Sequence, residues 1–366
     1  MTLTRCALLL SLLLPACDGG ASDATQPAPT KAQSEAPAER AAEPASPPSF
    51  ELPADAEGGA KALEGSFDAD QGYDVDGNEH RSGLLWIAAK GDDPAKVAAA
   101  LRKFSDFEGE TYDPVPTKVA IGRLGDANLE VYEAAVEAVN NALWFDTVDP
   151  IALDALEGVL RSNKDVVHKV PAAAGVSAIQ HDGAAFVRLL KAALAVKEPE
   201  VVAAALSKVN KRPKDEASAT EALVAIRGRL DDPNPQLAAE AVGALARVAK
   251  SDDAQARSEV QARLESEHPI VRAYAVAAWA KMAGKDAGPA LVKASADTEK
   301  VGDRLKLQYA EGGGYTIGRH QNVREVRDVV FSAAVTADPQ EKWGRLDGSP
   351  ESRAAFESKL KAWAQG

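Results

Sequence analysis

The sequence predicts an all-α fold, a right-handed α-solenoid of about six to seven antiparallel helix pairs behind a disordered tether. Three observations lead there. The first is a unit that appears twice between Leu230 and Met282. Leu230-Asp-Asp-Pro-Asn-Pro-Gln-Leu237 runs into an Ala-rich stretch, and Leu264-Glu-Ser-Glu-His-Pro-Ile-Val271 does the same. The second is a fixed internal register. Leu124/Val131, Leu160/Val167, Leu194/Val201, Leu230/Leu237 and Leu264/Val271 are each seven apart, and their first members step by 36, 34, 36 and 34 residues. The third is start chemistry for a second helix in each unit. Pro199, Pro235 and Pro269 stand two residues before the second member, where a missing N–H costs nothing. Asp126, Ser162, Asp232 and Ser266 stand five before it, as candidate caps.

Small residues explain how such units would stack. Ala135, Ala205, Ala241 and Ala275 fall four residues into their second helices and are followed by Val136, Leu206, Val242 and Val276. The small side chains admit a close neighbour and the larger ones fill the gap between layers. In the 160–176 unit, Val170-Pro171 and Gly175 predict a shortened or kinked second helix.

This pattern resembles the HEAT-repeat family, including the short HEAT-like repeats of phycobilisome lyases. It covers residues 83–295 and is clearest over Asp231–Val248 and Glu265–Met282. The resemblance implies an α-solenoid used mainly as a protein-binding scaffold, and it says little about activity.

From the start of the chain, residues 1–16 read as a signal peptide, with Arg5 before an apolar run from Ala7 to Leu14 that is too short to span a bilayer. Leu14-Pro15-Ala16-Cys17 resembles the lipobox of bacterial lipoproteins, with Pro15 in place of the usual small residue. That resemblance implies cleavage before Cys17 and lipidation of its thiol. The chain would then sit in the bacterial cell envelope, facing the periplasm on the inner or outer membrane. An ordinary secretory signal cut near Ala16 or Ala21 is the alternative. The other cysteine, Cys6, leaves with the signal in either case.

Residues 17–55 are rich in Ala, Pro, Ser, Glu and Gln, too polar to offset the entropy of ordering, and read as a tether. About 38 flexible residues reach roughly 35 Å. Residues 56–82 read as an acidic, irregular segment ahead of a first helix near Ser82. Within it, Asp68–Glu79 partly fits a calcium-loop template, but Tyr73 occupies the position that needs glycine. A calcium loop and a solvated acidic loop both stay open. Leu84 to Ile87 and Ala98 to Phe104 suggest a degenerate first repeat.

After residue 295 the register is lost. Residues 296–320 read as an insertion loop containing Gly312, Gly313, Gly314, Tyr315 and Arg319. Insertions in solenoids map to loops that often carry function. Residues 321–366 read as a C-terminal helical cap, in which Pro350–Gln365 presents Phe356, Leu360 and Trp363 to the core.

Composition bounds the function. With 366 residues, a formal charge of −13 and 5% aromatic residues, the chain lacks the basic stripe that nucleic-acid binding requires. Its five histidines show no zinc-like spacing, there is no Gly-x-Ser-x-Gly elbow, and no catalytic, metal or cofactor residues are assigned. Tyr132, His168 and Arg272 each follow the first apolar residue of a second helix. In stacked units they face either one common groove or ordinary solvated helix surface. The sequence therefore favours a non-catalytic scaffold for a protein or peptide partner, touching membrane through its lipid alone. An enzyme accessory and a structural envelope spacer are the alternatives.

Overall fold

The structure is a computed structural model that describes residues 48–107, 113–144, 148–179, 181–302 and 324–365. Cys17, the signal peptide, most of the tether and the Gly312–Arg319 stretch lie outside the described residues. All described residues belong to one unit, Ala41–Gly366.

The chain enters this unit earlier than expected. Phe50 and Leu52 pack against the core, so the folded part begins ahead of the boundary read at residue 55. The segment read as irregular contains a helix, α1 (Ala56–Ala62), and a two-stranded hairpin of β1 (Phe67–Asp68) and β2 (Gly72–Tyr73). Helix α1 was hidden because its sequence, AEGGAKA, carries two poor helix formers.

Seven helix pairs follow among the described residues. They are α2 (Arg81–Lys90) with α3 (Pro94–Arg102), α4 (Pro114–Arg123) with α5 (Leu129–Asn141), and α6 (Pro150–Arg161) with α7 (Val166–Ala174). Next come α8 (Gly183–Leu194) with α9 (Pro199–Lys208), α10 (Glu216–Arg227) with α11 (Pro235–Val248), and α12 (Ala254–Arg263) with α13 (Pro269–Ala283). The last pair is α14 (Gly288–Ala294) with α15 (Val330–Ala337), and α16 (Pro350–Trp363) closes the chain. The fold is an α-solenoid.

The pairs stack as two rows. Second helices pack in sequence, α3 on α5, α5 on α7 and onward through α13 on α15. First helices do likewise from α2 through α4, α6 and α8 to α10, while α16 packs on α14. Ala135, Ala205, Ala241 and Ala275 are each 0% exposed, as close approach within the second row requires. Helix α7 is short, contains Pro171 and passes into a 3₁₀ turn at Gly175. The lost register after α14 is an insertion within the seventh pair. Its two ends are held together by a Lys300–Glu325 bridge, and the Val326 and Arg327 amides donate to the Glu299 and Asp297 carbonyls.

Helix starts are built one step differently from the sequence reading. The oxygens of Asp126, Asp232 and Ser266 accept from the amides two residues ahead, closing the turn before the helix. The caps proper are Asn128 and Asn234, whose side chains accept from helix amides at 2.9 to 3.2 Å.

Arginines tie two of the units to the one before. Arg123, beside Leu124, donates to the Ala88 and Gly91 carbonyls at 2.7 and 2.8 Å and pairs with Asp126. Arg229, beside Leu230, donates to the Leu194 carbonyl and pairs with Asp232. The guanidinium thus satisfies carbonyls that a helix end leaves orphaned. Arg229→Ala is expected to lower stability by about 1–3 kcal/mol, seen as an earlier denaturant midpoint. An unmoved midpoint would show that these ties are incidental.

Candidate functional site

From α7 to α13 burial along the second row leaves little of the expected trough, while α3, α5 and α15 keep exposed residues. Helices α7, α9 and α11 have no exposed residue, and α13 has only Lys281. Their Ala and Val side chains let neighbours close over one another. The first helices keep solvated faces instead, as at Asp154, Gly158 and Arg161 of α6 or Ala184, Arg188 and Lys191 of α8.

Tyr132, His168 and Arg272 do not share a groove. Tyr132 is 0% exposed, so it has no surface to offer a partner. Its hydroxyl donates to the His168 carbonyl, its ring meets the His168 ring edge-on at 4.5 Å, and Lys164 Nζ lies 5.2 Å from its centroid. This is packing between α5 and α7, and burial raises the Tyr132 pKa. Arg272 lies three units further along. It is bound to Asp297 at 2.8 Å and Glu299 at 3.1 Å, which raises its pKa and pins the base of the insertion. The described surroundings of both sites are structural.

His168 has a pH consequence. Burial, then the Lys164 charge, hold its pKa below the ordinary histidine value, with Asp165 opposing. The folded protein favours neutral imidazole. The stability this gives is present above about pH 6.5 and is lost as pH falls through the lower folded pKa. His168→Gln is expected to shrink the loss of stability between about pH 7.5 and pH 5, measured by denaturant unfolding. An identical loss in the variant would assign the acid sensitivity elsewhere.

A buried polar seam joins three second helices. Glu240 on α11 is 0% exposed and accepts from Gln236 Nε2 at 2.7 Å and from the Tyr274 hydroxyl of α13 at 2.8 Å. Arg247, two turns further along α11, donates to the Leu206 carbonyl of α9 at 3.1 Å. Desolvation lowers its pKa, while Glu240 and Tyr274 favour its charge. Gly243 lets this seam form, since a Cβ there would stand 3.1 Å from the Tyr274 ring. Sequence reasoning passed over it, although a glutamate four residues after Gln236 on an otherwise apolar helix face was the signal.

Two clefts open at the first unit, where sequence reasoning placed no site. The hairpin lies over α3, with Gly72 beside Ala99 in the left-handed conformation (φ 79°) that favours glycine. One cleft, about 360 Å³, runs between the hairpin and α3, with Phe67, Gln71, Arg102 and Glu130 in its walls. The other, about 250 Å³, lies between α1, α2 and the start of α3. Tyr73 walls both. It is 3% exposed, and burial, then Asp93, push its pKa up to about 12. In the hairpin, Asp68 Oδ1 accepts from the Asp70 and Gln71 amides, and Asp76 Oδ1 from those of Asn78 and Glu79. These carboxylates serve their own turns. Among the described residues no three His, Cys, Asp or Glu side chains gather as a metal centre would need.

No family model and no curated protein matches the chain. Among solved structures it is similar to an engineered protein at 19% identity, over 63% of this chain and 96% of that one, with a TM-score of 0.33. It is also similar to a designed armadillo repeat protein, at 19% identity over 54% and 97%, TM-score 0.32. A third is human deoxyhypusine hydroxylase in complex with glycerol, at 13% identity over 79% and 96%, TM-score 0.31. The fold reading rests on the helix rows themselves.

Proposed function

We propose that this protein is a cell-envelope lipoprotein that acts as a non-catalytic, protein-binding scaffold. Cys17 carries the lipid, the segment after it is the tether, and the solenoid is held clear of the headgroups to meet a protein or peptide partner. The observation that carries the reading is structural. Seven helix pairs pack edge to edge, two of the junctions tied by the carbonyl-capping Arg123 and Arg229, and clefts open at the first unit. A preformed surface loses little entropy on binding. Among the described residues no helix is long and apolar enough to cross a membrane.

The test has two arms. Cys17→Ser is expected to move the protein from the membrane to the soluble fraction, and the mature wild type to carry the mass of a lipidated N-terminus. An unlipidated wild type contradicts the anchor. Crosslinking mass spectrometry in intact membranes is expected to link lysines of the solenoid reproducibly to one or a few proteins. Links confined to the chain itself contradict the scaffold.

A further inference from the structure

The cleft between α1, α2 and the start of α3 has the chemistry of a cation receptor. Its walls are apolar and aromatic, with Tyr73, Trp86 and Ile87 alongside the backbone at Gly91. Four carboxylates, Glu57, Glu64, Asp92 and Asp93, line it too. Two lysines line it as well: Lys61 pairs at 2.9 Å with Glu57, itself in the lining, and Lys96 Nζ sits 5.8 Å from the centroid of the Phe67 ring. Glu64 and Asp92 form no salt bridge among the described residues, and Asp93 spends one oxygen on the Ala95 and Lys96 amides as the α3 cap. Four carboxylates against two lysines leave the cleft net acidic beside its aromatic side chains.

We propose that this cleft receives a lysine or arginine side chain from an extended segment of a partner protein. The aliphatic stem lies along Ile87 and Tyr73, the cationic head meets the face of Trp86, and Glu64 and Asp92 neutralise it. A protein segment suits the site because a second cleft, about 360 Å³, shares Tyr73 in its lining and lies near enough for a flanking residue. A formal charge of −13 draws such a segment in.

This inference rests on the scaffold reading, and the two fail separately. The probe is an acetylated, amidated hexalysine peptide titrated calorimetrically into the whole mature protein at about 0.15 M salt, with hexaglutamate as comparator. The wild type is expected to bind hexalysine alone. Trp86→Ala, and separately the pair Glu64→Gln with Asp92→Asn, are expected to weaken binding about tenfold. A pair that removes the same charge elsewhere, Asp252→Asn with Asp286→Asn, is expected to change it by less than about twofold. Circular dichroism verifies folding, and Trp86→Phe, which keeps an aromatic face, should fall between wild type and Trp86→Ala. No binding by the wild type, or an equal loss in the distant pair, overturns the cleft as the receptor and leaves the crosslinking test of the scaffold standing. If crosslinking finds no partner while the cleft variants behave as stated, the scaffold reading fails and the cation site survives.

Discussion

Gly83→Ala is expected to lower stability by about 3 kcal/mol and to detach α1 from the solenoid. Gly83 on α2 faces Gly59 on α1. A Cβ at Gly83 would stand 2.5 Å from the Gly59 carbonyl carbon, 2.7 Å from its oxygen and 2.9 Å from the Ala60 nitrogen. All three are backbone atoms, so no rotamer change relieves the clash and the helices must separate. Separation exposes Ala56, Ala60 and Leu63, each now at 7% exposure or less. It also removes one wall of the cation cleft, so hexalysine affinity should fall with stability. Gly59→Ala is the milder partner, because its Cβ would meet the Gly83 nitrogen at 3.0 Å. Denaturant unfolding of both variants measures the difference. A Gly83→Ala protein as stable as wild type would mean that α1 does not sit where it is described.

Glu240→Ala is expected to cost about 3 kcal/mol, again by denaturant unfolding with an unchanged slope. Truncation strands Gln236 Nε2 and weakens the setting of the Tyr274 hydroxyl. It also leaves Arg247 desolvated without the carboxylate that favours its charge. The cost comes from orphaned polar groups more than from a lost hydrogen bond. Replacing the four together, Gln236→Leu, Glu240→Leu, Tyr274→Phe and Arg247→Met, is therefore expected to recover most of the loss. A neutral Glu240→Ala would show that the seam is solvated in solution.

Much of this architecture was legible in the sequence because stacking repeats its demands. Each unit must bury one leucine at the end of its first helix and one aliphatic residue near the start of its second. Eight of those ten residues are buried, with Val167 and Leu264 only partly so. The prolines at 199, 235 and 269 begin α9, α11 and α13, and the cap at Pro350–Trp363 buries Phe356 and Leu360 as its pattern implied. Features that occur once were not legible. Helix α1 is glycine-rich because it must approach α2, a tertiary requirement that local propensity counts against it. The Tyr132 position looks like groove surface by register, yet its ring is buried beside His168, and Val202 and Ala238 at the equivalent positions are buried too. The clefts depend on how a short hairpin folds back over α3, which no spacing encodes. The arginine ties could have been found, since Arg-Leu-x-Asp occurs at Arg123–Asp126 and at Arg229–Asp232.

Hydrogen exchange followed by mass spectrometry puts the stacking itself to the test. Helices packed on both flanks open only with the whole unit, whereas helices with one solvated face open more locally. Amides of α7, α9, α11 and α13 are predicted to exchange more slowly than those of α6, α8, α10 and α12 throughout the solenoid. Equal rates in the two sets, or faster exchange in the second helices, would contradict the continuous buried row.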